Sequence, residues 1–496
     1  MRVCVFCGSS TPDCTWSEDN LLPWDTGIGS VVETTLSRIR GEPAMDMDHW
    51  QHRLSNLCAA HQVPGASLAV LVDGEIHEFA TGVLHRGTGV EATTDSLFQI
   101  GSITKLYTAT LIMQLVAEGR LDLDAPVVSV LPEFAVADPV ATKTVTTRQL
   151  LSHTSGIDGD FFLDTGRGDD CVAAYVAACA GLGQNHPPGV TMSYSNSGFT
   201  VLGRIVEVLT GQVWDVALRE RLLDPLGAHS TVTLPEDVLR FRSALGHLGE
   251  PGEEPVPAPV WGLNRSAGPA GIINATAADV VRFARLHLDG GRTPDGTRVL
   301  GIEHVAAMRQ PQVDVPIRQG SGMQWGLGWV LYDWPGGRVI GHDGATIGQK
   351  AFLRVVPEAR VAVALLTNGG VPAEVQQRLF TELLTEHAGV AVPRFAPPAD
   401  PPAVDVTRHV GTYLREGYEV EVTNRDGALH LRGENTGELA QINPVIHLDL
   451  VPVTECLFAG RRNEHEPWVP VVFYTLPDGS PYLHFSMRAA PKTIEV

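Results

Sequence analysis

The stretch "ASLAVLVDGEIHEFATG" (66–82) reads as two strands around an Asp73-Gly74 turn. That pair accepts the positive φ angles a tight hairpin requires. Strand patterns then vanish through a long, mainly helical middle. They return only in "GLGWVLYD" (326–333), "GRVIGHDG" (337–344) and "KAFLRVVPEARVAVALLTNGG" (350–370). Neither group of strands can bury its apolar faces alone. The chain must therefore bring its two ends into one antiparallel sheet, flanked by helices, with a helical subdomain inserted on one side. This predicts an α/β domain over residues 47–392.

The 496 residues exceed one ordinary domain. "VPRFAPPADPPAVDV" carries Pro393, Pro397, Pro398, Pro401 and Pro402, so residues 393–404 read as a stiff linker. Residues 405–496 read as all-β, with "YEVEVTNRDGALHLRG" and "WVPVVFYTLPDGSPYLHFSMR" alternating about Asp426-Gly427 and Asp478-Gly479. At the other end, "DHWQHRLSNLCAAHQV" is a clear helix pattern preceded by Met45 and Met47. Residues 1–46 show no sustained period. "MRVCVFCGSS" resembles the opening strand of nucleotide-monophosphate phosphoribohydrolases, and nothing after residue 10 continues it. The expectation is an appendage, or a start assigned too far upstream.

A net charge of −21 repels nucleic acid and anionic membrane surfaces alike, so neither is an expected partner. No apolar run reaches the roughly 18–20 residues of a membrane span, and no signal peptide is read, which makes the expected location cytoplasmic. Seven cysteines, an odd and scattered set, do not make a disulfide framework. Cys4-x-x-Cys7 has no second pair at a metal-ligand spacing, and reduced thiols are expected.

Three short motifs could carry chemistry. In "FQIGSITKLYTATLIMQLVAEG" (98–119), Ser102 and Lys105 stand at i and i+3 at the start of a buried helix ended by Gly119. A lysine desolvated enough to be neutral can take the proton of a serine hydroxyl, and the helix N-terminus favours a developing oxyanion. Equally, Ser102 could simply cap the helix. Tyr194 and Asn196 lie in a polar turn before the helix "GFTVLGRIVEVLTG", where Ser197 or Asn196 could be the cap. His342-Asp343-Gly344 ends a late strand and could be half of a triad, a metal-ligand pair or an ordinary turn.

Order and context favour one reading. S-x-x-K, then Y-x-N, then H-x-G resembles the active-site serine penicillin-recognising enzymes, in their class C β-lactamase-like branch. "TVTTRQLLSHTSGI" (144–157) and "SAGPAGIINATAADVVRFARLHLDGG" (266–291) resemble further segments of that family, so the similarity spans roughly residues 48–390. The resemblance implies a beta-lactamase/transpeptidase-like fold, with a C-terminal lipocalin-like domain. It implies Ser102 as acylated nucleophile, Lys105 as its base or a member of the proton network, and Tyr194 as proton shuttle, leaving open which of Lys105 and Tyr194 is the base. Asn196, His342 and Gly344 would bind or position substrate, and the backbone N–H groups of Ser102 and Ala345 would form the oxyanion hole. No metal or other cofactor is expected. The implied activity is a serine hydrolase acting on an ester or a D-residue-type amide or peptide. The alternatives are an acyltransferase or a thioesterase/cyclase working on a carrier-bound substrate, and a non-enzymatic sensor or scaffold. Histidine, with an ordinary pKa near ~6.5, holds a carboxylate less firmly than the lysine found there in efficient β-lactamases.

Overall fold

The structure, a computed structural model, describes residues 45–317, 323–436, 445–464 and 466–493. The expectations for residues 1–44 lie outside them. Asp46, read above as part of the appendage, instead caps helix α1 (Met47–Ala60), its side chain accepting the His49 N–H. Among the described residues no helix is long and apolar enough to cross a membrane.

The hairpin forms as its turn predicts. β1 (Gly65–Val72) and β2 (Glu75–His85) pair antiparallel across Asp73 and Gly74, both at positive φ. With β3 (Val90–Glu91), β4 (Val313–Asp314), β5 (Met323–Trp325), β6 (Val330–Trp334), β7 (Gly337–Ala345), β8 (Lys350–Val356) and β9 (Val361–Thr367) they make one sheet of order β3-β2-β1-β9-β8-β7-β6-β5-β4. The join between the two chain ends is β1 against β9.

Both faces of this join are covered, which explains its unbroken apolar runs. Along β9, Ala362, Ala364 and Leu366 face the core shared with the helical insertion. Val361, Val363 and Leu365 face a second core closed by α1 and the C-terminal helix Pro372–Ala388. Helix α2 (Thr104–Ala117) runs through the first core and is buried around its whole circumference. Such burial fixes its N-terminus rigidly, and Ser102 lies there, on a 3-10 turn (Gly101–Ile103) just before the helix proper.

An irregular segment and then a 3-10 turn (Thr407–His409) lead to a second sheet of eight strands, Gly411–Arg415 through Arg488–Pro491, paired in sequence order. Its first strand meets the end of the chain through Tyr413–Lys492 and the Thr493 N–H to the Thr412 carbonyl, so the sheet nearly closes on itself. Its own apolar core includes Leu431, Phe458 and Leu483. This is the small all-β domain.

Candidate active site

Lys105 is fully buried. Its Nζ lies 3.0 Å from Ser102 Oγ, 2.8 Å from Asn196 Oδ1 and 2.7 Å from the Ala270 carbonyl. The last two atoms can only accept, so they take two of the amine's hydrogens. The third position faces a hydroxyl that can itself donate. The set fits both an ammonium donating to Ser102 Oγ and a neutral amine accepting the Ser102 O–H. Burial is the main cause that drives the Lys105 pKa well below the ordinary lysine range, and the positive charge of Arg488 adds to it.

The orientation of Asn196 is forced. Its Oδ1 meets Lys105 and its Nδ2 donates to Asp160 Oδ1 at 3.0 Å. Asn196 is the first residue of helix α3 (Asn196–Thr210); the cap is Ser195, whose Oγ accepts the Gly198 N–H. That corrects the capping expected of Asn196 or Ser197 and leaves the Asn196 side chain free for Lys105.

Tyr194 precedes the cap and is almost fully buried, its ring 4.9 Å from Lys105 Nζ. Burial pushes its phenol pKa up, while the neighbouring Ser102 hydroxyl works weakly the other way. The Tyr194 hydroxyl makes no hydrogen bond of good geometry within the protein.

β7 brings the third motif alongside. β6 pairs with it only as far as Gly341, leaving the edge of residues 342–345 open. The Thr346 N–H binds the Gln349 carbonyl. The next pair, Ala345–Lys350, is then the non-hydrogen-bonded kind, and the Ala345 N–H points away from β8. Two glycines let this edge approach the Ser102 turn. A Cβ on Gly101 (φ +52°) would stand 2.7 Å from Ala345 N. One on Gly344 would stand 1.9 Å from the Ile100 carbonyl oxygen and 3.0 Å from Ser102 N. Both obstacles are backbone. Gly344→Ala is accordingly expected to destabilise the fold by about 1–3 kcal/mol, read as a lower thermal midpoint.

His342-Asp343-Gly344 lies inside β7 rather than at a turn, so Asp343 does not shape a turn. Its carboxylate pairs bidentately with Arg354 on β8. The His342 Nδ1 is directed at the Asp343 backbone oxygen at 2.6 Å, not at the carboxylate, so the two side chains form no triad. The imidazole is buried beside Trp325 and Tyr194. Burial, then Lys105, lowers its pKa to about 4. At neutral pH this position carries no cation. Nitrocefin turnover is therefore expected to fall below the ~1–10³ s⁻¹ typical of enzymes, measured spectrophotometrically with purified protein.

The all-β domain reaches into the same cluster. Arg488 donates from Nε and Nη2 to Asp160 at 2.9 and 2.8 Å, and its guanidinium lies 5.0 Å from the Tyr194 ring centroid. Arg415 pairs with the same carboxylate. Burial alone would raise the Asp160 pKa; the two arginines outweigh it and hold it well below the usual carboxylate range. The Tyr194 N–H donates to the Met487 carbonyl at 2.9 Å, from a turn in which Ser486 and Met487 are both left-handed. Asp160 and Arg488 also begin the wall of a cleft of about 1020 Å³ between the two sheets, lined further on by Thr346, Lys350, Arg415 and Tyr418. Ser102 itself is not on that wall. Among the described residues no group of three or more His, Cys, Asp and Glu side chains could hold a metal ion.

The Beta-lactamase family model matches residues 48–387. The chain belongs to the beta-lactamase family. As a serine hydrolase of this family it is 60% identical over 376 residues to "Penicillin-binding protein 4" of Amycolatopsis lactamdurans, covering 75% of this chain and 98% of the relative. Its fold is similar to the crystal structure of SurE with D-Leu, at TM-score 0.70 and 30% identity over 90% of this chain and 99% of that one. D-amino acid amidase from Ochrobactrum anthropi SV3, complexed with L-phenylalanine amide, is similar at TM-score 0.54 and 27% identity, over 66% and 92%. The SurE likeness runs through the all-β domain as well, whereas the amidase likeness covers a smaller part of the chain.

Sequence motifs named Ser102, Lys105, Tyr194, Asn196, His342, Gly344 and Ala345, and the structure brings all seven into one cluster. They did not name His153, Asp160, Trp325 or Arg488. His153 sits in the quoted segment 144–157, which drew attention to its sequence without suggesting a contact. Nothing around Arg488 in "SMRAAPK" marks it as a neighbour of Tyr194.

Proposed function

We propose that this protein transfers an acyl group from an ester or D-residue-type amide or peptide to Ser102 and then to water. The observation that carries the reading is the buried Lys105, two of whose hydrogens go to Asn196 Oδ1 and the Ala270 carbonyl while its third position faces the Ser102 hydroxyl at 3.0 Å. As Oγ attacks the carbonyl carbon, its proton passes to Lys105 Nζ. The backbone N–H groups of Ser102 and Ala345 receive the oxyanion. Tyr194 delivers a proton to the departing amine or alcohol, and the acyl-enzyme ester remains. Water then attacks that ester, with the proton steps reversed, and the acid leaves.

The D-residue preference is supported by the likeness to SurE, solved with D-Leu, and to a D-amino acid amidase. Matched D- and L-aminoacyl amides and peptidyl esters, followed by mass spectrometry of products and of the trapped adduct, test it. Faster turnover of the D series with the acyl mass on the Ser102 peptide is expected; an L preference, or an adduct elsewhere, overturns the reading.

A second reading rests on the cleft. The cleft starts at Asp160 and Arg488 beside the site rather than at Ser102, with room for the far part of a peptide-length acyl group, and an amine at the peptide's own far end could replace water as acceptor. A peptidyl thioester in the same panel distinguishes the two, since ring closure gives a product lighter than the acid by one water.

A further inference from the structure

His153 follows the short helix Thr147–Leu151 with a left-handed backbone, φ +57°. Its carbonyl accepts the Ser193 N–H at 2.9 Å, and its Nδ1 accepts the Ser195 N–H at 3.0 Å. These two bonds bracket Tyr194. Between them the imidazole lies against the Tyr194 ring, centroids 4.3 Å apart and planes 30° from parallel. Phe199 and Trp325 complete the enclosure at 5.2 and 4.8 Å, and no part of His153 reaches solvent.

The position makes three demands. The backbone must be left-handed, which Asn, Asp and His adopt more readily than other non-glycine residues. An acceptor must stand at the δ atom, so Nδ1 carries no proton and the neutral ring is protonated at Nε2. A flat, uncharged ring must fill the space beside Tyr194; burial above all holds the His153 pKa well down. Aspartate would add a charge, and phenylalanine offers no acceptor. Histidine meets all three.

We propose that His153 is a positioning residue that holds the Tyr194 ring and hydroxyl in register with Ser102 and Lys105 while the leaving group receives its proton. This rests on the reading of Tyr194 as proton carrier.

The test compares kcat/KM, which reports acylation, for p-nitrophenyl and ethyl esters of one acyl group taken from the panel above. The p-nitrophenolate departs unaided, whereas ethoxide needs a proton. Y194F is expected to lose ~10²-fold or more on the ethyl ester and far less on the p-nitrophenyl ester. H153F keeps a ring but strands the Ser195 N–H, and is expected to show the same selectivity, with about tenfold or greater extra loss on the ethyl ester. H153N places an amide oxygen where Nδ1 stands and suits the left-handed backbone but leaves the ring's space unfilled, so it should recover the part of that loss carried by the Ser195 bond; no recovery at all would assign the loss to the ring contact instead. A variant that is only less stable loses both substrates equally. Equal losses in H153F beside a selective Y194F overturn the role of His153 alone. An unselective Y194F overturns the proton-carrier reading and the proposal with it.

Discussion

Lys105→Arg is expected to lower kcat/KM by ~10³-fold or more and to stop rapid labelling of Ser102 by a fluorophosphonate probe. Arginine keeps a positive charge and hydrogen-bond donors at the site, yet its guanidinium does not deprotonate in a protein. If Lys105 acted only as a fixed cation, Arg would retain much of the activity. If it acts as the base, Arg removes the one lone pair aimed at Ser102 O–H. The surroundings favour the second outcome, because Asn196 Oδ1 and the Ala270 carbonyl already occupy two donors. Since the Lys105 pKa is depressed, the neutral fraction rises with pH through a value below the ordinary lysine range, and kcat/KM should rise with it along an acid limb. Lys105→Met asks a separate question about stability. It strands two buried acceptors, at about 1–3 kcal/mol each. Ser102→Ala should take no label at all. Residual labelling of Ser102→Ala, or a Lys105→Arg enzyme within about tenfold of the parent, would contradict the assignment.

The sequence made both sheets legible because the central strands of the main one, β1, β8 and β9, are buried on both faces, and because unambiguous turns punctuate each sheet. Asp73-Gly74 and Asp426-Gly427 form the tight turns their residue types favour. The candidate site was legible for another reason. Ser102 and Lys105 are one helical turn apart, and Tyr194 and Asn196 flank one cap, so local spacing places each pair. What local spacing could not supply was contact between pairs. Asp343 read as a turn residue because Asp-Gly usually is one. Here Arg354, on the neighbouring strand, gives the carboxylate a partner and keeps the segment extended. Arg488 lay beyond reading altogether, since its place depends on how an entire second sheet docks.

Arg488→Ala is expected to lower kcat/KM at neutral pH by about 10²-fold and to restore part of it at higher pH. Two effects act on Lys105, with the same sign. Removing the guanidinium removes a charge that lowers the Lys105 pKa. It also removes one of the contacts that hold the all-β domain against the site, beside Arg415 with Asp160 and the Tyr194 N–H with the Met487 carbonyl, admitting water and weakening the desolvation that is the larger cause. Both raise the Lys105 pKa, so less neutral amine remains at pH 7 and the acid limb moves up. Arg488→Lys, which keeps the charge, should shift that limb less while still losing the paired bonds to Asp160. Stability should fall as well, by about 3–5 kcal/mol, because buried Asp160 loses one of its two arginines and keeps Arg415 and the neutral Asn196 amide as partners. The pH dependence of stability carries the opposite signature. Asp160 is held well below the usual carboxylate range, so its contribution is complete above pH ~4 and is lost as pH falls toward its folded pKa. The parent protein should therefore lose stability on acidification in a step that Arg488→Ala diminishes. An unshifted acid limb in Arg488→Ala would mean that the all-β domain covers the site without tuning its base.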